Sequence, residues 1–152
     1  MISIVVPVYN EARRLPASLD KILAFMDVRH PGYEVLLIDD GSTDGTVDVA
    51  RGHVGRRAEL RVESYGGNRG KGYAVRHGIA RASGELVLFT DADLSTPIEE
   101  LERLVAAVDA GADIAIGTRA HPQSDVRVRQ PFYRDRAGKM FNALVRTVHF
   151  PT

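Results

Sequence analysis

The chain contains no cysteine, so a disulfide frame and a thiolate metal site are both excluded. It has no tryptophan and only five tyrosines and five phenylalanines, so each aromatic beside a polar motif stands out. Neither charge sign is in excess: 20 Lys and Arg balance 20 Asp and Glu, which argues against a general nucleic-acid binder. No apolar run approaches the roughly 20 residues needed to cross a bilayer. Met1 leads straight into a β-branched run, leaving no room for a signal peptide and predicting a cytoplasmic protein. Three ligand motifs are also missing. Gly70-Lys71 would need Gly at 65 and Ser or Thr at 72 to form a phosphate-binding loop of ATPase type, and Tyr65 and Gly72 stand there. Asp40, Ser42, Asp44 and Gly45 have calcium-loop spacing, but Arg51 occupies the place of the bidentate Glu. The first strand is followed by Tyr9-Asn10-Glu11 where a dinucleotide fold carries G-x-G-x-x-G.

What is present is an alternation of apolar runs and helical periodicity in 152 residues, the size of one domain. Ser3–Val8, Tyr33–Ile38, Leu60–Tyr65, Leu86–Phe89 and Asp113–Gly117 read as strands, the third least apolar and nearest an edge. Leu86–Phe89, four apolar residues in a row, reads as a buried central strand. Pro7 must lie at a strand end or edge, because it cannot donate to a ladder. Leu15, Leu19, Ile22, Leu23 and Met26 fall at helical spacing behind Pro16, a favoured first-turn residue. Further helices follow around Val47 and Ala50, around Ala74 to Ala82, and around Leu101 to Val108. This order predicts an α/β fold with right-handed crossovers and a doubly wound, mostly parallel sheet over residues 1–118.

Residues 119–152 differ in character. Seven Lys and Arg face two Asp there, and Tyr133, Ala137, Met140, Phe141, Leu144 and Val148 form one helical stripe. That pattern fits a helix covering a sheet, or a basic amphipathic helix lying on an anionic membrane surface.

Loops at one sheet edge carry the chemistry. Asp91 and Asp93, just past a strand, suit a hard divalent cation shared with phosphates; equally, one could end the strand and the other cap a helix. Asp40 could accept from a nucleobase N–H, Tyr9 could stack on a base, and Lys71, near Arg69, could meet a diphosphate. Gly41, Ser42, Thr43 and Gly45 could also be a turn and a cap only. The five histidines form no Ser-His-Asp set and no helical metal pair, and only His77 is expected off the surface.

Pro7-Val-Tyr-Asn-Glu11, Asp39-Asp-Gly-Ser-Thr-Asp-Gly45, Asn68-Arg-Gly-Lys-Gly72, Asp91-Ala-Asp93 and Gly117-Thr-Arg119 together resemble family 2 glycosyltransferases of the GT-A fold. Within that family the Asn68–Gly72 run and the Thr90–Pro97 run around Asp91-Ala-Asp93 look most like the dolichyl-phosphate β-glucosyltransferase branch, with polyprenyl-phosphate mannose synthases as cousins. The resemblance implies that Pro7, Tyr9 and Glu11 line a nucleotide pocket, that Asp40 binds the base and that Lys71 lies near base or phosphates. It implies that Asp91 contacts sugar or ribose, that Asp93 ligates Mg²⁺ or Mn²⁺ with Asp91 beside it, and that Arg119 approaches the diphosphate or an acceptor phosphate. The implied reaction moves a hexose from a UDP-sugar to a polyprenyl phosphate with inversion, at the cytoplasmic membrane face. A GDP-mannose donor, a sugar-nucleotide binding module without catalysis, and more distantly a nucleotidyltransferase are the alternatives. Family members continue beyond the equivalent of Thr152 with an acceptor-side segment. The resemblance therefore implies a C-terminally short core: a truncated protein, a fragment, or half of a site completed by a partner.

Overall fold

The computed structural model describes residues 1–54 and 57–118. Contacts divide the chain into Met1–Gly117 and Thr118–Thr152, and every element below lies in the first unit. The order is β1 (Ile2–Val8), α1 (Leu15–Arg29), β2 (Glu34–Asp39), α2 (Thr46–Val54), β3 (Leu60–Ser64), α3 (Lys71–Ile79) and β4 (Leu86–Phe89). A 3₁₀ turn over Ile98–Glu100 and α4 (Leu101–Asp109) complete it. The four strands are all parallel in the order β3-β2-β1-β4.

Strand alternation sorts the apolar residues of β1 and β2 onto two faces. Ile4, Val6, Val8, Val35 and Leu37 face one core with α1, while Val5, Leu36 and Ile38 face a smaller core under α3. Every one of them is 2% exposed or less, as both faces of an all-parallel sheet require. α1 takes the predicted register. Leu15, Leu19, Ile22, Leu23 and Met26 are at most 2% exposed, each worth about 1.5–3 kcal/mol of apolar burial. Pro16 sits in its first turn, where a missing N–H costs nothing. α3 approaches the sheet closely because Gly78 has no side chain: a Cβ there would stand 2.4 Å from Val5 Cγ1.

Pro7 lies one residue from the end of β1, as its missing donor demands. Two expectations are overturned. Among the described residues β4 is an edge strand, paired only with β1, and Val87 and Phe89 are 39% and 52% exposed. The apolar run is genuine, but its position in the sheet is fixed by the order of crossovers and leaves no trace in four residues. Asp113–Gly117 does not form a fifth strand. It has no ladder partner among the described residues, and Ile114 and Ile116 stand 82% and 78% exposed. Arg119 and the helix expected over Pro131–Phe150 lie outside the described residues.

Candidate functional site

The strand order reverses direction between β1 and β4, the place where open α/β sheets form a crevice at their carboxyl edge. A cleft of about 310 Å³ opens there. Of the eight residues singled out above, it brings together Pro7, Tyr9, Glu11, Asp40, Lys71, Asp91 and Asp93, while Arg119 falls outside the described residues.

Asp40 follows β2 directly and is 4% exposed. Its carboxylate is largely committed to the protein. Oδ1 accepts from the Tyr65 hydroxyl at 2.9 Å and the Arg69 N–H at 2.8 Å, and Oδ2 accepts from the Gly70 N–H at 2.9 Å. A carboxylate offers about four acceptor sites, so one remains. Asp40 is thus a clasp that folds the Asn68–Gly72 loop against the sheet edge. Burial, and then the bond to Asp40, raise the Tyr65 hydroxyl well above the ordinary tyrosine range, so it donates throughout the neutral range. Its ring packs on Tyr73 and His77 of α3, at centroid distances of 5.0 and 4.9 Å.

Gly70 ends the loop at φ +87° and sets Lys71 as the first residue of α3. Lys71 Nζ then meets Asp91 Oδ1 at 2.5 Å, with both side chains about half exposed. Asp93 is held differently: its Oδ1 accepts from the Ser95 N–H at 2.9 Å. That backbone bond, helped by the charges of Arg14 and Lys71, holds the Asp93 carboxyl below the usual carboxylate range and outweighs its partial burial. The turn carries Leu94 at φ +48°, a strained angle for leucine of the kind that clusters at functional sites. Two ionised carboxylates offer hard oxygen ligands of the type Mg²⁺ and Mn²⁺ prefer. Among the described residues no group of three His, Asp or Glu gathers, so such an ion would take its other ligands from phosphates and water, as Mg²⁺ usually does.

Sequence reasoning missed the residues that hold the cleft's walls. Asn10, at φ +55°, accepts from the Thr43 N–H at 2.8 Å and donates its own N–H to Ser42 Oγ at 2.9 Å. The Glu11 N–H donates to Thr46 Oγ1 at 2.8 Å, and the Ala12 N–H to Asp44 Oδ2 at 3.2 Å. Asp44 also caps α2 by accepting from the Thr46 N–H at 2.9 Å and from its hydroxyl. Asp39 anchors the same loop, accepting from the Ser42 N–H at 3.1 Å and the Ser64 hydroxyl at 2.7 Å. Gly41 lets the loops close up: at φ +79°, a Cβ there would lie 2.8 Å from the Gly67 carbonyl carbon. The turn-and-cap roles weighed for this segment are therefore real, and they build the wall of the cleft. A non-glycine at positive φ is favoured for Asn, which is the one local signal that could have marked Asn10.

The described residues have the α/β fold of the GT-A glycosyltransferases. Residues 3–150 match the model of Glycosyl transferase family 2, and the chain belongs to that family. It is 40% identical to a dolichyl-phosphate beta-glucosyltransferase of Drosophila melanogaster, over 95% of this chain and 48% of that protein. It is 37% identical to an undecaprenyl-phosphate 4-deoxy-4-formamido-L-arabinose transferase of Aeromonas hydrophila, over 96% of this chain and 43% of that one. The chain thus spans about half the length of the curated relatives it matches. Among solved structures, a mannosyltransferase of Pyrobaculum calidifontis in complex with GDP-Man and Mn²⁺ superposes with a TM-score of 0.55. The identity is 33% over 60% of this chain and 27% of that one.

Proposed function

We infer that this chain is the donor-binding part of an inverting glycosyltransferase that moves a hexose, glucose foremost, from a UDP-sugar to a polyprenyl phosphate. The observation that carries the reading is the convergence of Tyr9, Asp40, Lys71, Asp91 and Asp93 on one cleft at the carboxyl edge of the sheet. Tyr9, 46% exposed, offers a ring to stack on a base, and Asp40 has one free acceptor site for a base N–H. Lys71 offers an ammonium to the diphosphate. Asp93, held ionised, and Asp91 would hold Mg²⁺ or Mn²⁺ against the same phosphates. When bound, such an ion supplies positive charge that stabilises the diphosphate as it leaves. Arg119 is proposed, on the family resemblance alone, to meet the diphosphate or the acceptor phosphate.

In the transfer, the bond from the anomeric carbon to the nucleotide diphosphate breaks and one to an acceptor oxygen forms on the opposite face. A phosphate acceptor is already anionic, so no side chain need remove a proton. That is consistent with a cleft in which Asp40 and Asp93 accept hydrogen bonds and Asp91 is ion-paired with Lys71. The polyprenyl acceptor rests on the two curated relatives, whose names specify dolichyl and undecaprenyl phosphate. It would bring the domain to a membrane surface, although no helix among the described residues is long and apolar enough to cross one. A GDP-mannose donor is a second reading, favoured by the complex of the Pyrobaculum relative.

Calorimetry with UDP-glucose and with GDP-mannose, each with and without Mn²⁺, tests the donor. Cation-dependent binding of UDP-glucose is expected, and binding of neither nucleotide sugar would end the reading. Transfer of labelled glucose to dolichyl or undecaprenyl phosphate tests the acceptor.

A further inference from the structure

We propose that Lys71 is a built-in counter-ion that competes with the divalent cation for Asp91, so that cation and nucleotide diphosphate enter the cleft together. The proposal rests on the donor-site reading above and adds an order to it.

The two carboxylates of the Asp91-Ala-Asp93 turn differ in their partners. Asp93 is tied to a backbone N–H of its own turn and has no ion pair among the described residues at all. Asp91 is paired with an ammonium 2.5 Å away that comes from a different element. The placement of that ammonium is built. Asp40 fixes the Arg69 and Gly70 N–H groups, Gly70 turns the chain at positive φ, and Lys71 starts α3 within reach of Asp91. An ammonium here occupies one of the two oxygens that Asp91 could offer a cation, and repels the cation besides. Because both partners are about half exposed, the pair is weak and opens readily for a stronger partner. A diphosphate is such a partner. It offers Lys71 three-donor contacts to several oxygens and, by drawing the ammonium away, frees Asp91 for the cation. The same side chain therefore opposes cation binding alone and favours cation binding with the nucleotide.

The opposing arm can be sized. A unit charge about 5 Å from a divalent ion in a water-like dielectric changes its affinity on the order of tenfold. Mn²⁺ is titrated into wild type, Lys71→Met and Lys71→Arg, without nucleotide, and free Mn²⁺ is followed by its electron paramagnetic resonance signal. UDP with saturating Mn²⁺ is titrated into the same samples by calorimetry. Lys71→Met should bind Mn²⁺ alone about tenfold more tightly than wild type, yet bind UDP with Mn²⁺ about tenfold more weakly. Lys71→Arg should leave the affinity for Mn²⁺ alone near wild type, and Asp91→Asn in the Lys71→Met background should remove the gain. An Mn²⁺ affinity in Lys71→Met equal to or below that of wild type overturns the proposal, as does failure of all variants to bind Mn²⁺. If no protein binds UDP with Mn²⁺, the UDP-donor reading falls instead, and the comparison with Mn²⁺ alone still decides the counter-ion.

Discussion

Replacing Asp40 by Asn separates holding a loop from reading a base. The side chain is 4% exposed, and its two oxygens accept three hydrogen bonds, two of them from the backbone of Arg69 and Gly70. Asparagine keeps the shape but turns one acceptor into a donor. Whichever way the amide lies, at least one backbone N–H faces an NH₂ group. With the amide nitrogen toward Gly70, one charge-assisted bond is lost and the Gly70 N–H keeps only its 3.1 Å bond to Asn68 Oδ1, while the other two bonds weaken from charged to neutral. At about 1.5–3 kcal/mol for a bond to a charged group and about 0.5–1.5 for a neutral one, the full difference would exceed about 3 kcal/mol; the three bonds are only part-buried and Gly70 keeps a second acceptor, so the destabilisation should be about 2–4 kcal/mol. For a unit of this size that lowers Tm by about 10 °C. Urea unfolding should show a lower midpoint at unchanged slope, since the exposed surface is unaltered. Cation-dependent UDP affinity should fall in the same variant, because the loop carrying Lys71 loses its clasp. A variant with wild-type midpoint and lost nucleotide binding would refute the clasp and leave Asp40 as a base contact only.

Asp93→Ala should abolish Mn²⁺-dependent UDP binding in calorimetry while shifting Tm by only a few degrees, since the side chain's hydrogen bonding is confined to its own turn. Unchanged cation dependence would remove Asp93 from the ligand set. Gly78→Ala places a methyl against Val5 and Ile38 and should cost about 1–3 kcal/mol by overpacking, read as a lower urea midpoint. Glu34 at the opposite sheet edge accepts from the Ser3 hydroxyl at 2.6 Å and the Ser83 N–H at 2.5 Å. Burial alone would raise its carboxyl, yet these bonds and Arg61 hold it below the ordinary 4.5. A depressed carboxyl stabilises above its unfolded value and loses that stability as pH falls through the folded one. Stability should therefore drop below about pH 4.5, and Glu34→Gln should flatten that part of the profile.

Much of the fold was legible because its signals are local. The β-branched runs of β1 and β2 and the spacing of Leu15 to Met26 state burial and period directly. The glycine-rich and acidic loops follow strands, and parallel crossovers put strand ends on one edge, which is why residues as far apart as Tyr9 and Asp93 could be grouped. What stayed hidden depends on pairing at a distance. Leu86–Phe89 reads the same at an edge as at a centre. The Tyr65 hydroxyl meets Asp40 across 25 residues with no local mark. Of Asp39-Asp40 the resemblance singles out the second for the cleft, but the reason lies in bonds that the sequence does not show. Alternation sends neighbours to opposite faces, and only the bonds from Ser42 and Ser64 show that Asp39 is the one turned away.

The stitching of the two cleft loops carries a consequence for how specificity can change. Along Tyr9-Asn10-Glu11, side chains that face the cleft alternate with a side chain that fastens the loop, and the Glu11 backbone is fastened independently of its carboxylate. Conformation is thus written in Asn10, Ser42, Asp44 and Thr46, and the lining of the cleft in their neighbours. Because the loops are rigid through their own bonds, a ligand pays little ordering entropy on arrival. Tyr9 and Glu11 can be exchanged without refolding the wall behind them. Such a division lets one scaffold explore new donors while its stability is left untouched.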